Sequence, residues 1–438
     1  MRATLGAIVG DEWVSEPVPP FDDVDGVHPR LLVSPGGAAE VAEVLRTASR
    51  EGWAVLPTGR GRLRTLGNPP RGGDLWLSTE RLTAVTEYEP ADLTAAVQSG
   101  ATLGEFNRHL AEHRQVLPWD PPGGPDRTMG GIAAVGKTGP LRLGFGQPRD
   151  WVLGIEVATV EGKLIRAGGR VVKNVAGYDL TKLFVGSLGT LGVITELNVK
   201  VRPQPATELT TVVASRDPSM LWSLARKIRQ SHAQPVAMEI LSAEAMRWAG
   251  TDVAGRDDYL CTRFAGDDAD VRDQVLLVES FASELGLSAA EQIGDQRVLA
   301  LWRGIADLPL HEAVRVALRL SLRLSRLEGV AGLATRSFPV HAEEVAVCVG
   351  PGTGTLWVFL GGVVDEHRIT AIVPEIERLR EICRADGGSL VIERAPLELK
   401  KRLDVWGDVG SAGPLMKGMK KLFDPHDSLN PGRFVAGM

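Results

Sequence analysis

Glycine is concentrated in the first half of the chain, and this places the strongest constraint on its fold. The chain has 438 residues and 50 glycines, and three Gly-rich turns lie at 59–67, 123–139 and 186–192, each beside a predicted strand. Glycine reaches positive φ and has no Cβ, so several backbone N–H groups can converge on one bound anion. Three such turns in one domain predict a shared anionic ligand that is too long for a single loop. A dinucleotide has the required length.

The second turn also contains the pattern G-x-x-x-x-G-K-[ST], which is typical of a phosphate-binding P-loop. The fixed positions are Gly131, Gly136, Lys137 and Thr138. A P-loop must lead directly into a helix whose N-terminus contacts the phosphates. Here the apolar residues between the glycines favour burial, and Gly-Pro follows at 139–140, where a helix cannot continue. The context therefore argues against a nucleotide hydrolase.

Composition excludes several other classes of protein. The formal net charge is −6 and the sequence pI is about 5.9, which argues against nucleic acid or an anionic membrane surface as the main partner. No apolar run is long enough for a membrane span. The three cysteines are Cys261, Cys348 and Cys383, far apart and without a C-x-x-C pair. This pattern predicts a reducing compartment, no disulfide framework and no iron–sulfur cluster held by this chain alone.

Hydrophobic periodicity in the first half predicts a helix, strands and a hairpin before a domain boundary near 202–205. Thr102 and Glu105 form a capping box at the start of a further helix. The predicted elements are a helix at 34–51, a buried strand at 53–57, a loop-like stretch at 118–149, a hairpin at 151–169, a short helix capped by Asp179 and an alternating strand at 193–201. Beyond the boundary, strand-like and helix-like segments alternate. They predict an α+β domain with helices on one side of an antiparallel sheet.

The order of these motifs resembles a known family. The segments are "PTGRGR", "SGATLGEFN", "LPWDPP", "TMGGIAA", "TGPLRLGFGQPRDWVLG", "VVKNVAGYDLTKLFVGSLGTLGVITE" and "LNPGRF". Together they resemble the FAD-binding fold of the vanillyl-alcohol oxidase and p-cresol methylhydroxylase (PCMH) type. The run from "KNVAGYDLTKL" to "GTLGVITELNVKV" is similar to the FAD-binding E subunit of bacterial glycolate oxidase. The resemblance implies an α+β chain with a two-subdomain PCMH-type FAD-binding domain at 28–205, an α+β cap domain with an antiparallel sheet at 206–420, and a C-terminal return to the FAD domain at 421–438.

The resemblance also implies which residues hold FAD. Residues 58–62 match the pyrophosphate loop, 128–131 the loop beside the diphosphate and flavin, 189–194 the turn at the adenine end, and Asn430 the C-terminal return. The full set is Thr58, Gly59, Arg60, Gly61, Arg62, Thr128, Met129, Gly130, Gly131, Thr138, Gly139, Asp150, Gly189, Gly192, Val193, Ile194 and Asn430. Each motif alone is also compatible with an ordinary turn, and Asp150 with a turn cap. The family attaches flavin covalently through His or Cys, and neither occurs at 55–70 or 118–150. The resemblance therefore implies non-covalent FAD.

Catalytic residues are harder to assign. Relatives that oxidise 2-hydroxy acids carry cap-domain histidines in a His-x-Gly-x-Gly and a Glu-His-Gly turn. In this chain "VGPGTGTLWV" and "GGSLVIERAP" stand at these turns, with Gly350 and Arg394 in the histidine positions. Arg394 is a candidate for binding a carboxylate, although an arginine is a poor base. His109 and His113 lack a third ligand nearby, and His341 offers little more, so we expect no metal site.

These expectations lead to a function and to two alternatives. The resemblance implies an FAD-binding subunit of a glycolate oxidase-type complex that supports oxidation of glycolate to glyoxylate. Its implied partners are a related flavin subunit and an iron–sulfur subunit. The expected location is the cytoplasm, with peripheral attachment at the inner membrane through partner subunits as an open alternative. A self-sufficient FAD-dependent dehydrogenase of a 2-hydroxy acid or alcohol, and a structural subunit with a vestigial flavin site, both remain open.

Overall fold

Two compact units make up the chain in the computed structural model. The first unit comprises Met1–Lys137, Gln147–Gln204 and Asp408–Met438, and the second unit comprises Thr138–Gly146 and Pro205–Gly407. The structure describes all residues except 170–178, 251–254, 256, 289–290, 339–341 and 363–364. Most of the motif "KNVAGYD", as well as His341, therefore lies outside the described residues. The predicted C-terminal return at 421–438 falls within a longer third segment that begins at Asp408.

A small, mostly parallel sheet opens the first unit. Its strand order is Val14–Ser15, Leu31–Val33, Leu75–Ser78 and Val55–Thr58, with only the first strand antiparallel to its neighbour. Helix Ala38–Glu51 follows the second strand and buries the predicted stripe of Val41, Val44, Leu45 and Ala48. The helix begins four residues later than the sequence predicted. Ser34 instead donates its amide to Trp13 O at 3.0 Å, and so extends the pairing of the first two strands.

The second sheet of the first unit is antiparallel and five-stranded. Its order is Val85–Glu89, Thr94–Gln98, Val193–Lys200, Val152–Ala158 and Leu164–Gly168. The last two strands form the predicted hairpin. In Val193–Lys200 the alternation is as predicted, with Leu197 and Val199 fully buried between half-buried polar residues. The unit also contains the short strand pair Gln115–Val116 and Arg202–Pro203, and the helices Arg2–Val9, Leu103–Ala111, Thr181–Phe184 and Gly413–Phe423.

The stretch 118–149, predicted as loop-like, contains two short helices. They are Met129–Val135 in the first unit and Arg142–Phe145 in the second. Because glycine has a low helix propensity, the sequence did not predict the first of these helices. The glycine is needed here because close packing leaves no room for a side chain. A Cβ at Gly130 would lie 2.5 Å from Ser99 Cβ. Because Gly136 caps this helix at φ +67, Lys137 follows the helix instead of preceding it, and the P-loop interpretation is excluded.

The second unit is built on one antiparallel sheet of eight strands. Their order is Glu291–Gly294, Thr207–Ser215, Asp258–Gly266, Ala237–Leu241, Glu344–Gly350, Thr355–Gly361, Val316–Ser321 and Ser389–Arg394. The antiparallel sheet is as predicted, but the prediction that helices cover only one side of it is wrong. One face packs against Pro218–Gln230, Asp268–Glu284, Leu324–Ser337 and Glu366–Ala385, and the other against Ala243–Trp248 and Asp295–Asp307. A further short helix is Leu397–Lys400.

The cause of this two-sided packing is visible in the strands. Neighbouring residues such as Val212 and Val213 are both buried but belong to different apolar clusters, as do Leu260 and Cys261. Successive strand residues point to opposite faces, so both faces need a cover. Among the helices in the described ranges, none has the length and apolar composition needed to cross a membrane.

Candidate functional site

A cleft of about 820 Å³, including space open to solvent, lies in the first unit. Four stretches of chain line it, at 57–64, 127–135 and 188–194 and in the C-terminal segment, together with Trp76 and Thr79. The structure brings the following predicted site residues together in this cleft: Thr58, Gly59, Arg60, Gly61, Arg62, Thr128, Gly130, Gly131, Gly189, Gly192, Val193, Ile194 and Asn430.

The first wall of the cleft is a loop of unsatisfied backbone amides. It follows strand Val55–Thr58, and none of the amide groups of residues 59–63 donates a hydrogen bond to another described residue. Gly61 sits at φ +64, in the left-handed region, and a Cβ there would lie 2.6 Å from the Phe21 ring. Because exposed amides in a turn form a concavity that binds anions, this loop offers an anion site without needing side-chain charge.

The second wall packs directly against the first. A Cβ at Gly59 would lie 2.1 Å from Thr128 Oγ1, so only glycine permits this approach. Thr128 Oγ1 accepts the Gly131 amide at 3.3 Å and so caps helix Met129–Val135. Leu103 donates its amide to Arg127 O at 2.8 Å, which ties this wall to the N-terminus of helix Leu103–Ala111. The two Gly-rich stretches are therefore held against each other at the floor of the cleft.

The third wall joins the turn at 188–194 to the C-terminal segment. Leu188 and Gly189 are both left-handed, at φ +54 and +67. Asn430 Nδ2 donates to Leu188 O at 2.6 Å, and the Asn430 amide donates to Val55 O at 2.9 Å. A Cβ at Gly192 would lie 2.5 Å from Val157 Cγ1. The end of the chain thus connects the turn to the strand that carries the first wall.

Five arginines line the cleft, and two of them, Arg60 and Arg62, are ion-paired with Glu80 and Asp126. Arg433 is 3% exposed, and its guanidinium donates to Asn430 Oδ1 at 3.3 Å, to Leu66 O at 2.7 Å and to Arg64 O. Burial lowers the pKa of Arg433 to about 10, so the group stays protonated at neutral pH. Arg64 Nε is buried without a hydrogen-bond partner among the described residues. The cleft-lining arginines are Arg60, Arg62, Arg64, Arg127 and Arg433.

Comparison with known proteins shows which domains the chain contains. Residues 29–168 match the family described as the FAD binding domain, and residues 408–434 match the C-terminal domain of FAD linked oxidases. The chain carries an FAD-binding domain. Apart from Thr138–Gly146, both matched segments belong to the first unit. They contribute two of the three walls of the cleft and part of the third. We term it the FAD cleft because we propose that the cofactor binds there.

Solved structures agree on the fold. The crystal structure of p-cresol methylhydroxylase with substrate bound is similar to this chain with a TM-score of 0.77 at 15% identity, over 98% of this chain and 95% of that one. At this identity the likeness concerns the fold alone. The chain has the α+β, PCMH-type FAD-binding fold.

Sequence relatives are named as oxidoreductases of 2-hydroxy acids. Glycolate oxidase subunit GlcE of Escherichia coli is 43% identical over 145 residues, and subunit GlcD of Bacillus subtilis is 36% identical over 182 residues. These alignments cover 33% and 42% of this chain, and only 41% and 39% of the relatives. A D-lactate dehydrogenase of Archaeoglobus fulgidus is 26% identical over 462 residues, which cover 97% of this chain and 96% of that protein.

The residues of the cleft fit FAD. A diphosphate needs amide donors and cations, and residues 59–63 and the five arginines supply them. The buried Nε of Arg64 is a donor that has no hydrogen-bond acceptor among the described residues. The lining residues include neither His nor Cys. FAD is the cofactor of this chain, and the described lining of the cleft offers no histidine or cysteine for covalent attachment.

Four predicted site residues lie elsewhere. Met129 is fully buried, and its amide donates to Ala101 O at 2.8 Å, away from the cleft. Thr138 and Gly139 belong to the second unit. Asp150 Oδ2 accepts the Gln147 amide at 2.8 Å and closes the turn Pro148–Asp150, which is the capping role that the sequence left open.

Some cleft-lining residues were not predicted. Pro57, Ala134, Leu188 and Arg433 stood inside quoted motifs but were not selected as site residues. Arg64 and Arg127 carried no such signal, because a loop arginine is usually solvated. The unpredicted lining residues are Pro57, Leu63, Arg64, Trp76, Thr79, Arg127, Ala134, Val135, Leu188 and Arg433.

The candidate catalytic residue lies in the second unit. Arg394 ends the edge strand Ser389–Arg394, and its Nη1 donates to His311 O at 2.9 Å. The His311 ring stacks on Trp248 with centroids 5.4 Å apart. Burial, with a smaller contribution from the charge of Arg315, lowers the pKa of Arg394. Arg394 pairs with Ala317 in the neighbouring strand Val316–Ser321, and Arg315 directly precedes that strand. In the described part of the chain, no cluster of His, Cys, Asp and Glu could hold a metal ion.

Proposed function

We propose that the chain is the FAD-binding subunit of a glycolate oxidase-type complex that oxidises a 2-hydroxy acid, glycolate in the first instance. The observation that carries this proposal is that the first unit has a cleft that fits FAD, while the second unit has Gly350 and Arg394, and no base, at the expected positions. The similarity to two glycolate oxidase subunits supports it. FAD, once bound, supplies a hydride acceptor.

The chain's own residues would bind and orient the cofactor. The free amides of residues 59–63 would hold the diphosphate, and Arg433 would contribute a fixed positive charge. Because Arg433 is anchored by two carbonyl oxygens and Asn430, its charge is preorganised and costs little reorganisation on binding. The lining contains neither His nor Cys, so we propose that binding is non-covalent.

Oxidation of a hydroxy acid needs a base for the hydroxyl proton. Gly350 has no side chain, and the Arg394 guanidinium stays protonated even with a lowered pKa, so neither can take that proton. We therefore assign proton removal to a related flavin subunit and onward electron transfer to an iron–sulfur subunit, since this chain has no C-x-x-C. A cytoplasmic complex, attached to the inner membrane through its partners, is consistent with this division.

A second candidate is a self-sufficient FAD-dependent dehydrogenase of a D-2-hydroxy acid. The alignment with D-lactate dehydrogenase over 97% of this chain favours it. In this case Arg394, with Arg315 close enough to influence its pKa, would bind the substrate carboxylate. The third candidate, a structural subunit with a vestigial flavin site, finds little support in a cleft that keeps its free amides and its glycines.

One experiment separates the three functions. The full chain is purified alone, its visible spectrum is recorded, and the flavin released by denaturation is identified. We expect a yellow protein with FAD that stays oxidised when it is mixed anaerobically with glycolate or D-lactate, because the base is absent. Reduction on addition of the partner subunits would support the complex. Bleaching of the isolated chain by either acid would favour the self-sufficient dehydrogenase, and a colourless chain that takes up no FAD would favour the vestigial site.

A further inference from the structure

A buried lysine outside the FAD cleft has every donor satisfied. Lys420 lies on helix Gly413–Phe423, and its side chain is only 7% exposed. Its Nζ donates to Asp424 Oδ2 at 2.6 Å, to Leu429 O at 2.9 Å and to Thr190 O at 3.0 Å. An ammonium group has three N–H donors, and here each has an acceptor.

Each of these acceptors belongs to a segment that leads to a wall of the cleft. Thr190 stands between the cleft-lining Gly189 and Gly192, and Leu429 directly precedes Asn430. Asp424 is fully buried and itself accepts the Leu429 amide at 2.7 Å. Lys420 and Asp424 therefore bind the carbonyl oxygen and the amide of Leu429, respectively. One ammonium group therefore joins the turn of the third wall to the C-terminal segment.

The same segment reaches the first wall. Val55 donates its amide to Ser428 O at 2.7 Å and accepts the Asn430 amide at 2.9 Å, and Val55 and Leu429 form a parallel bridge. Strand Val55–Thr58 then runs into the loop of free amides at residues 59–63. A shift of the C-terminal segment would displace the diphosphate-binding loop as well as the turn at 188–194.

We propose that Lys420 is a positioning residue for FAD, which fixes the spacing of the first and third walls without touching the cofactor. A buried ion pair adds little net stability, because desolvation offsets the attraction between the charges. Its two bonds to backbone oxygens from distant parts of the chain give it a geometric role instead. This inference rests on the FAD-binding domain and not on the proposed glycolate reaction, so either can fail without the other.

The test compares Lys420→Met with Lys421→Met in the full-length chain. Lys421 is the exposed neighbour on the same helix, so its variant controls for the loss of one positive charge and for the new thioether. FAD affinity is measured by titrating flavin-free protein and following flavin fluorescence, and stability is measured by thermal unfolding of the same flavin-free protein. We expect Lys420→Met to bind FAD at least about tenfold more weakly, and Lys421→Met to bind as the wild type does.

Removing Lys420 alone leaves the Asp424 carboxylate buried without its cation, which can unfold the protein. The double variant Lys420→Met with Asp424→Asn removes both charges of the buried pair, and the amide oxygen can still accept the Leu429 N–H. Asp427, whose Oδ1 lies 3.3 Å from Lys420 Nζ, keeps its ion pair with Arg71. The new amide NH2 replaces the oxygen that accepts from Ser428, so the double variant is expected to unfold at a higher temperature than Lys420→Met but below the wild type, and still to bind FAD weakly. Lys420→Arg should restore part of the affinity.

Unchanged FAD affinity in a folded Lys420→Met or double variant would overturn the proposal. A fall in unfolding temperature alone, or failure of both variants to fold, would make Lys420 a residue of general stability and would overturn it equally.

Discussion

Gly59 leaves no room for a side chain, because a Cβ there would lie 2.1 Å from Thr128 Oγ1 and 3.0 Å from Thr128 Cβ. We expect Gly59→Ala to push the first and second walls of the FAD cleft apart, since overpacking of this kind typically costs about 1–3 kcal/mol. The free amides of residues 59–63 would then miss the diphosphate. FAD affinity, measured by fluorescence titration of the flavin-free protein, should fall at least about tenfold.

The matched control is Gly418→Ala, a glycine of the same unit inside helix Gly413–Phe423. A Cβ at Gly418 meets nothing within 4 Å, and alanine is the better helix former. This variant should bind FAD normally and unfold at the same or a higher temperature. Normal FAD affinity of Gly59→Ala would mean that Thr128 yields without moving the loop, and would contradict the tight packing of the two walls.

The residues of the cleft differ in how well the sequence reveals them. Glycines such as Gly59 and Gly61 are visible because their task, positive φ or close backbone approach, is local and no other residue performs it. Arg433 and Lys420 are not visible in this way. Their partners Leu66 and Thr190 lie 367 and 230 positions away, and only folding brings them together. A motif can name such a residue, but only the structure gives its role.

Among the elements, helix Leu103–Ala111 has a cap that also positions the second wall. Thr102 Oγ1 accepts the Glu105 amide at 3.1 Å, and Glu105 Oε2 accepts the Thr102 amide at 3.1 Å. Thr102→Ala should lower the free energy of unfolding of the first unit by about 1 kcal/mol, the usual cost of a lost N-cap. Urea unfolding at pH 7 measures this, and Thr102→Ser, which keeps the hydroxyl, is the control.

This capping box also predicts a pH dependence. The Thr102 side chain and amide hold the pKa of Glu105 below its ordinary value of 4.5. A carboxyl with a lowered folded pKa stabilises the protein above the unfolded value, and this contribution is lost as the pH falls through the folded value. The difference in urea midpoint between Glu105→Gln and wild type should therefore be larger at pH 7 than at pH 3. An equal difference at both pH values would count against the cap.

At the scale of the elements, predictions from the sequence were correct where the chain has a simple local pattern. The strand Val193–Lys200 follows from alternation, and the hairpin of Val152–Ala158 and Leu164–Gly168 follows from the turn residues Glu161, Gly162 and Lys163 between its strands. Prediction failed at helix Met129–Val135, because glycines chosen for close packing on Ser99 resemble a loop. It also failed to foresee helices on both faces of the second sheet. A strand buried on both faces has no alternation to show which side is covered.

For the whole molecule, the order of segments along the chain does not show which segments belong to which unit. The predicted boundary near 205 lies where Pro205 opens the longer segment of the second unit. The assignment of 138–146 to the second unit could not be predicted, because it depends on contacts such as the Gly144 amide with Val236 O at 3.0 Å. The FAD cleft belongs wholly to the first unit, although the first unit is assembled from three separate segments.

This arrangement leads to a prediction about truncation. A chain that ends at Gly407 keeps every strand of the second unit but loses Lys420, Asn430 and Arg433. We expect it to retain strong β-sheet circular dichroism and to bind no FAD, since part of the third wall and its fixed cation are gone. The full-length variant Arg394→Met, altered in the second unit only, should bind FAD within about twofold of the wild type, a difference of about 0.4 kcal/mol. If the truncated chain bound FAD like the full chain, the segment Asp408–Met438 would not be needed for binding. If Arg394→Met lost its flavin, the first unit could not hold the cofactor alone.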